Sequence, residues 1–258
     1  MSFPNYKNKY DKLSFSNAKD LLDYTKKRDP KFADFRPPKG FIIAFDDRII
    51  NIARKHHKLK KVKFYYGDTY IINNTVGIIS KFGIGAPVTI SLLEKFIAHG
   101  TKKFIAIGAS ATLQKKIKIG DIVVCNRAIR DEGTSYHYIK PSKYAYANEK
   151  ILSKITSYFD KNKQHYILGT SWSTDGLYRE TVDEVKHYTK EGVATLEMEA
   201  SALFGASKYL DVQTASIFII SDTLAETKWK PQYHAEKFEK NLENTYLMSY
   251  NVLSQNYN

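Results

Sequence analysis

The chain has 258 residues, 43% of them hydrophobic, with a formal net charge of +13 and a single cysteine, Cys125. That length gives one medium domain or two small ones with room for a sizeable core, and no apolar run approaches the ~18 residues that span a bilayer. One cysteine excludes an intramolecular disulfide framework and a cysteine-built metal cluster, and Met1–Tyr10 lacks an apolar signal core, so a soluble cytoplasmic protein is expected.

Residues 1–38 are polar, mixed and rich in tyrosine, and Arg36-Pro37-Pro38 punctuates the chain before a single main domain over 39–258. Phe41 to Phe45 reads as a buried strand, followed by a helix from about Asp47 to His57. Tyr70-Ile71-Ile72 and Val76-Gly77-Ile78-Ile79 read as sheet. Pro87 suits a first helical turn, and Val88 to Ala98 carries helical apolar spacing. Phe104 to Ile107 and Ile122 to Cys125 are predicted strands, Ile151 to Phe159 a helix, and Tyr166 to Leu168 a strand. Ala200 to Ala206 opens a small-residue helix, Ala215 to Ile220 is a strand, and Phe238 to Leu253 a terminal helix. Such alternation argues for an α/β fold around one central sheet.

Basic residues are spread along the chain, densest at Lys55–Lys63 and Lys115–Lys118, with no nucleic-acid-binding motif beside them. Solvated surface lysines explain this better than a nucleic-acid or membrane partner, although the excess charge draws phosphate and nucleotides by long-range attraction.

The most informative stretch is Thr195-Leu196-Glu197-Met198-Glu199-Ala200. In extended backbone, residues i and i+2 share a face, so Glu197 and Glu199 are expected to point together into a pocket. Paired carboxylates accept well from hydroxyls such as the 2′ and 3′ hydroxyls of a ribose. The alternative is an exposed strand end with two solvated acids.

With Gly83-Ile84-Gly85-Ala86-Pro87, Ile107-Gly108, Gly120-Asp121-Ile122-Val123-Val124 and Ser221-Asp222 in the same order, the chain resembles the nucleoside phosphorylase superfamily of purine and uridine phosphorylases and nucleosidases, from about Gly40 onward. The resemblance implies a three-layer α/β/α fold with a central twisted mixed sheet. It also implies that Glu199 holds the ribose hydroxyls, Met198 packs under the sugar and Glu197 supports the site. Asp222 matches the acid that serves a purine leaving group, work that burial of the carboxyl favours. A helix N-cap is the competing role for Asp222. Trp172, Tyr178 and Arg179 fall in a segment resembling the base-recognition stretch.

The nucleophile site departs from the phosphorylases. Where they carry a Gly-Asp-Pro turn followed by arginine, this chain reads Ala44-Phe45-Asp46-Asp47-Arg48. Arg48 fits the first arginine, Lys63 stands near the second, and Ser110 follows a strand end without the usual arginine. Millimolar phosphate binding amounts to only about 4 kcal/mol, and two lost charge-assisted contacts at roughly 1.5–3 kcal/mol each would erase it. Beside the nucleosidases, Asp46 or Asp47 becomes a candidate general base for water, although Phe218 replaces an arginine that would position it. Both acids also suit a first helical turn.

The expected activity is cleavage of a ribonucleoside's N-glycosidic bond, by phosphorolysis in preference to hydrolysis, with a non-catalytic nucleoside-binding module as the third reading. Phosphate is the implied co-substrate, no metal or organic cofactor is implied, and the family's habit is a homo-oligomer, a trimer or hexamer, with sites near subunit interfaces. A missing phosphate ligand would then come from a neighbour's His56, His57 or Lys63.

Overall fold

A period of two along the apolar strands puts core on both faces of one sheet. The computed structural model describes residues 4–29, 32, 35–225 and 229–255. In chain order, helix α1 (Ala18–Arg28) precedes strand β1 (Gly40–Ala44), helix α2 (Arg48–His56), β2 (Lys60–Val62), β3 (Asp68–Ile71), β4 (Val76–Ser80) and α3 (Ala86–Ala98). There follow β5 (Lys103–Thr112), β6 (Ile122–Asp131), β7 (Tyr144–Tyr146), α4 (Glu149–Lys161), β8 (Ile167–Thr174) and α5 (Val182–Lys190). The last are β9 (Thr195–Glu197), α6 (Ala200–Tyr209), β10 (Gln213–Thr223), β11 (Lys230–Pro231) and α7 (Glu236–Ser254).

Ile42, Ile105, Ile107, Ile217 and Ile219 pack with α2, α4 and α7 on one face. Their chain neighbours Phe41, Ile43, Phe104, Ala106 and Phe218 pack with α3 and α6 on the other. This is the three-layer α/β/α arrangement, and it explains why these strands read as unbroken apolar runs: both faces are covered. Gly77 admits the close approach of β4 to β1, since a Cβ there would lie 2.4 Å from the Phe41 ring.

The sheet is mixed. β1 runs parallel to β4 and β5, whereas β9 meets β5 antiparallel. β5, β10, β6, β8 and β9 pair in succession and close on themselves as a five-strand ring. β4, β3 and β2 extend the sheet outward from β1.

β5 and β6 run well past Ile107 and Cys125, where their apolar runs stop, because pairing within the ring carries their small and polar second halves. Residues 60–62, 144–146 and 182–190 form elements that the apolar patterning does not announce. β2 is a short lysine-bearing edge strand, and charge on an edge is a common device against aggregation. The start of α5 carries a capping box, Thr181 with Glu184. α1 packs against α3. Among the described residues, no helix is long and apolar enough to cross a membrane.

Candidate active site

β5 changes neighbours halfway along one edge. It pairs with β1 as far as Ile107 opposite Ala44, and with β9 from Ala111 opposite Leu196. Gly108, Ala109 and Ser110 lie between the two pairings and line a cleft of about 650 Å³. Crevices where neighbouring strands diverge are the usual ligand sites of α/β sheets.

Glu197 and Glu199 both line this cleft and are nearly inaccessible, at 8% and 7% exposure. The solvated alternative is excluded. Their convergence does not come from strand alternation, because β9 ends at Glu197 and Glu199 is the N-cap residue of α6. Glu197 accepts from the Ser171 hydroxyl at 3.0 Å, from the Ser173 hydroxyl, and from the backbone N–H groups of Glu199 and Ala200, each at 2.7 Å. It anchors the start of α6, where unpaired N–H groups and the helix dipole favour a carboxylate.

Glu199 accepts the Gly85 N–H at 2.5 Å. Burial, and then the charge of Glu197, push its carboxyl up to about 8. Burial also raises Glu197, but its four hydrogen bonds favour the ionised form. Glu197 is thus the more heavily hydrogen-bonded of the two buried carboxyls. Met198, between them, also lines the cleft.

Asp222 lines the same cleft, 7% exposed. It is a strand residue paired with Ala111 and Pro231, and no helix begins at it, so the N-cap alternative does not apply. The β10–β5 register shifts between Ile220 and Asp222, a bulge of the kind that re-aims a side chain. Its Oδ1 accepts from the Ser221 hydroxyl at 2.6 Å and its Oδ2 from the Trp229 indole N–H at 2.7 Å. Tyr233, hydrogen-bonded to the Ser221 side chain, and Glu180 complete this end of the site. Burial, followed by the charges of Asp222 and Glu184, pushes Glu180 up to about 7.

The expected anion ligands do not converge here. Arg48 is absent from the cleft lining, and four of its five N–H donors are taken. Nε bonds Asp46 Oδ1 at 2.9 Å, Nη2 bonds Asp46 Oδ2 at 2.5 Å, and Nη1 bonds both the Tyr233 carbonyl, at 2.6 Å, and Glu239. Asp46, also absent from the lining, accepts the Arg48 backbone N–H at 2.9 Å. With its oxygens so engaged it is a turn acid just ahead of Asp47, the N-cap residue of α2, rather than a first-turn acid or a free general base. Asp47 accepts from the Ser80 hydroxyl at 2.6 Å.

Lys63 is exposed just after β2, at the far edge of the sheet, because three strands intervene between β2 and β5. Ser110 does line the cleft, but its hydroxyl donates to the Leu196 carbonyl at 2.9 Å. His56 pairs with Glu243 at 2.6 Å, and His57 packs against Tyr250 with ring centres 4.0 Å apart. Phe45, Ile84 and Phe218 line the cleft, and no lysine, arginine or histidine does so among the described residues.

Of the predicted base residues, Tyr178 lines the cleft and is 92% exposed. Arg179 is exposed and does not line it. Trp172 is a core residue, 1% exposed, packed beside Ile129 and Leu196, with its N–H donated to Asp131 at 2.9 Å. The period of two along β8 explains this, since Ser171 and Ser173 face Glu197 and Trp172 points the other way. Sequence reasoning missed Glu180, Trp229 and Tyr233. The capping box at Thr181 was the available signal for Glu180, because it marks residues 175–180 as a loop ahead of α5.

Known proteins resemble this chain in sequence and in fold. A guanosine phosphorylase of Halorubrum lacusprofundi is 24% identical over 178 residues, 69% of this chain and 74% of that one. A uridine phosphorylase of Thermococcus kodakarensis is 28% identical over 142 residues, 49% of this chain and 50% of that one. A DeoD-type purine nucleoside phosphorylase of Bacillus cereus is 28% identical over 142 residues, 54% and 60% of the two chains. The chain therefore spans half to three quarters of the length of these curated relatives. Among solved structures, the uridine phosphorylase of Vibrio fischeri superposes with a TM-score of 0.75 at 24% identity, covering 84% of this chain and 92% of that one. The purine nucleoside phosphorylase of Toxoplasma gondii, in complex with immucillin-H, gives 0.76 at 18% identity, covering 85% and 91%. The sequence profile of the phosphorylase superfamily matches residues 38–252, and the chain belongs to that superfamily.

Proposed function

We propose that the protein cleaves the N-glycosidic bond of a purine ribonucleoside by phosphorolysis, releasing the base and ribose 1-phosphate. The observation that carries this reading is the presence of Glu199 and Asp222 in one cleft. Leu196, Ala111 and Asp222 stand in register across three adjacent strands, which spaces the two ends by roughly 10 Å at about 4.8 Å per strand. A base and its ribose fit between them.

In this reading Glu199 accepts the ribose hydroxyls, each such bond contributing about 1.5–3 kcal/mol. Met198 packs against the sugar and Glu197 holds the turn. Asp222 donates a proton or hydrogen bond to the departing base as the C1′–N bond breaks, and a phosphate oxygen forms the new bond to C1′. Glu180 beside Asp222 favours a guanine-type purine, whose ring N1–H and 2-amino group offer adjacent donors to a carboxylate, over uracil, whose single ring N–H sits between two carbonyls. No further cofactor enters this chemistry.

A specific observation supports hydrolysis as the second reading: among the described residues, none that lines the cleft is a cation. Phosphorolysis then requires a cation from a neighbouring copy, in keeping with a trimer or hexamer, whereas water requires none. Base release from purine and pyrimidine ribonucleosides, with phosphate present and rigorously absent, separates them. Phosphate-dependent release with ribose 1-phosphate as co-product is expected. Phosphate-independent release with free ribose assigns hydrolysis, and release in neither buffer removes the catalytic reading.

A further inference from the structure

Arg48 is bound to three parts of the fold at once. Its guanidinium joins Asp46 in the turn after β1, the Tyr233 carbonyl in the segment between β11 and α7, and Glu239 in the first turn of α7. It also lies over the Phe238 ring, with its central carbon 4.6 Å from the ring centre. A rigid planar fork with five donors suits such a junction, and a lysine ammonium does not.

The segment it holds is a wall of the cleft. Trp229 and Tyr233 line the site, and the Trp229 indole bonds Asp222. One part of the segment is fixed to β10, because β11 pairs with Asp222 and Thr223 and the Gln232 N–H donates to the Ser221 carbonyl at 2.7 Å. The other part, at Tyr233, is held by Arg48.

From this junction we infer that Arg48 is a positioning residue for the leaving-group end of the site: by pinning residues 229–235 to the β1–α2 turn, it keeps Trp229 on Asp222 and so fixes the direction of the Asp222 carboxyl. This rests on the functional reading above and adds to it a residue that touches neither sugar nor base. It also gives the retained arginine a task other than binding an anion.

The test uses two substrates that differ in their need for an acid. Guanosine requires a proton or hydrogen bond on its departing base, whereas 7-methylguanosine leaves from an already cationic ring. Arg48→Ala is expected to lower kcat/KM for guanosine by about 10²-fold or more, to spare 7-methylguanosine, and to add no further loss when combined with Asp222→Asn. Arg48→Lys is expected to behave like Arg48→Ala. Equal losses on both substrates, or losses additive with Asp222→Asn, overturn the inference in favour of a general structural or anion-binding role.

Hydrogen exchange supplies a readout independent of turnover. In Arg48→Ala, amides of residues 229–235 are expected to exchange faster while those of β6 keep their protection. Glu239→Ala, which removes one anchor outside the cleft, is expected to shift the same amides in the same direction. Unchanged exchange over 229–235 overturns the clamp. If the unmodified protein cleaves neither nucleoside, the functional reading fails, and the exchange result still decides whether Arg48 holds the segment.

Discussion

The backbone N–H of Gly85 donates to the Glu199 carboxyl at 2.5 Å, joining the turn before α3 to the turn before α6 across 114 residues of sequence. Gly85 has a φ of +98°, a conformation in which side chains are strained. The Gly-Ile-Gly-Ala-Pro stretch thus aims an N–H at the acid assigned to the ribose.

Gly85→Ala is therefore expected to cost about 1–3 kcal/mol of stability through backbone strain and to weaken ribonucleoside binding by turning that N–H away. Urea unfolding and ligand titration on the same preparation check both effects. Unchanged binding would detach Gly85 from the ribose site.

The pH dependence follows from Glu199. Its folded value is about 8, against an ordinary 4.5, so the folded protein holds the extra proton between those limits. Its contribution to stability is fully present below the lower value and is lost as pH rises through the upper one. Glu199→Gln is expected to remove this decline, as thermal unfolding across the range will show. Ribose hydroxyls need the carboxylate, so ribonucleoside Kd is expected to fall by up to about tenfold per unit as pH rises toward 8, and to level off above it. A 2′,3′-dideoxynucleoside with the same base shares any effect of Glu180, and the ratio of the two affinities isolates Glu199.

Glu197 makes a separate prediction, on stability. Glu197→Ala leaves the buried Ser173 hydroxyl and two N–H groups at the start of α6 without their acceptor, and the Ser171 hydroxyl with only a long bond to the Thr195 carbonyl. At about 1–3 kcal/mol for each unsatisfied buried group, a loss of about 3 kcal/mol or more is expected in urea unfolding. A loss below about 1 kcal/mol would mean that the turn before α6 is held by something else.

The fold is legible where burial on both faces writes itself into the sequence. β1, β5 and β10 read as strands because Phe41–Ala44, Phe104–Ile107 and Ala215–Ile220 are covered by helices on each side. Glu199 is legible because its neighbours in sequence are its neighbours in the site. Trp172 misleads because its residue type suggests a base platform, whereas alternation along β8 turns it into the core. Arg48 misleads for another reason. Its position after β1 suits a phosphate ligand, but Glu239, 191 residues away, holds its guanidinium elsewhere, and local sequence carries no trace of that pairing.

The closed ring of β5, β10, β6, β8 and β9 divides the site mechanically. Glu197 and Asp222 belong to strands of the ring, each of which has a hydrogen-bonded neighbour on both sides. Gly85 and Tyr178 stand outside it, on connecting segments, whereas the segment that carries Trp229 and Tyr233 is tied back to β10 and to Arg48. Local opening draws first on segments with few protected hydrogen bonds. Opening of the connecting segment that carries Tyr178 can therefore widen the cleft while Glu197 and Asp222, held on the ring, keep their spacing.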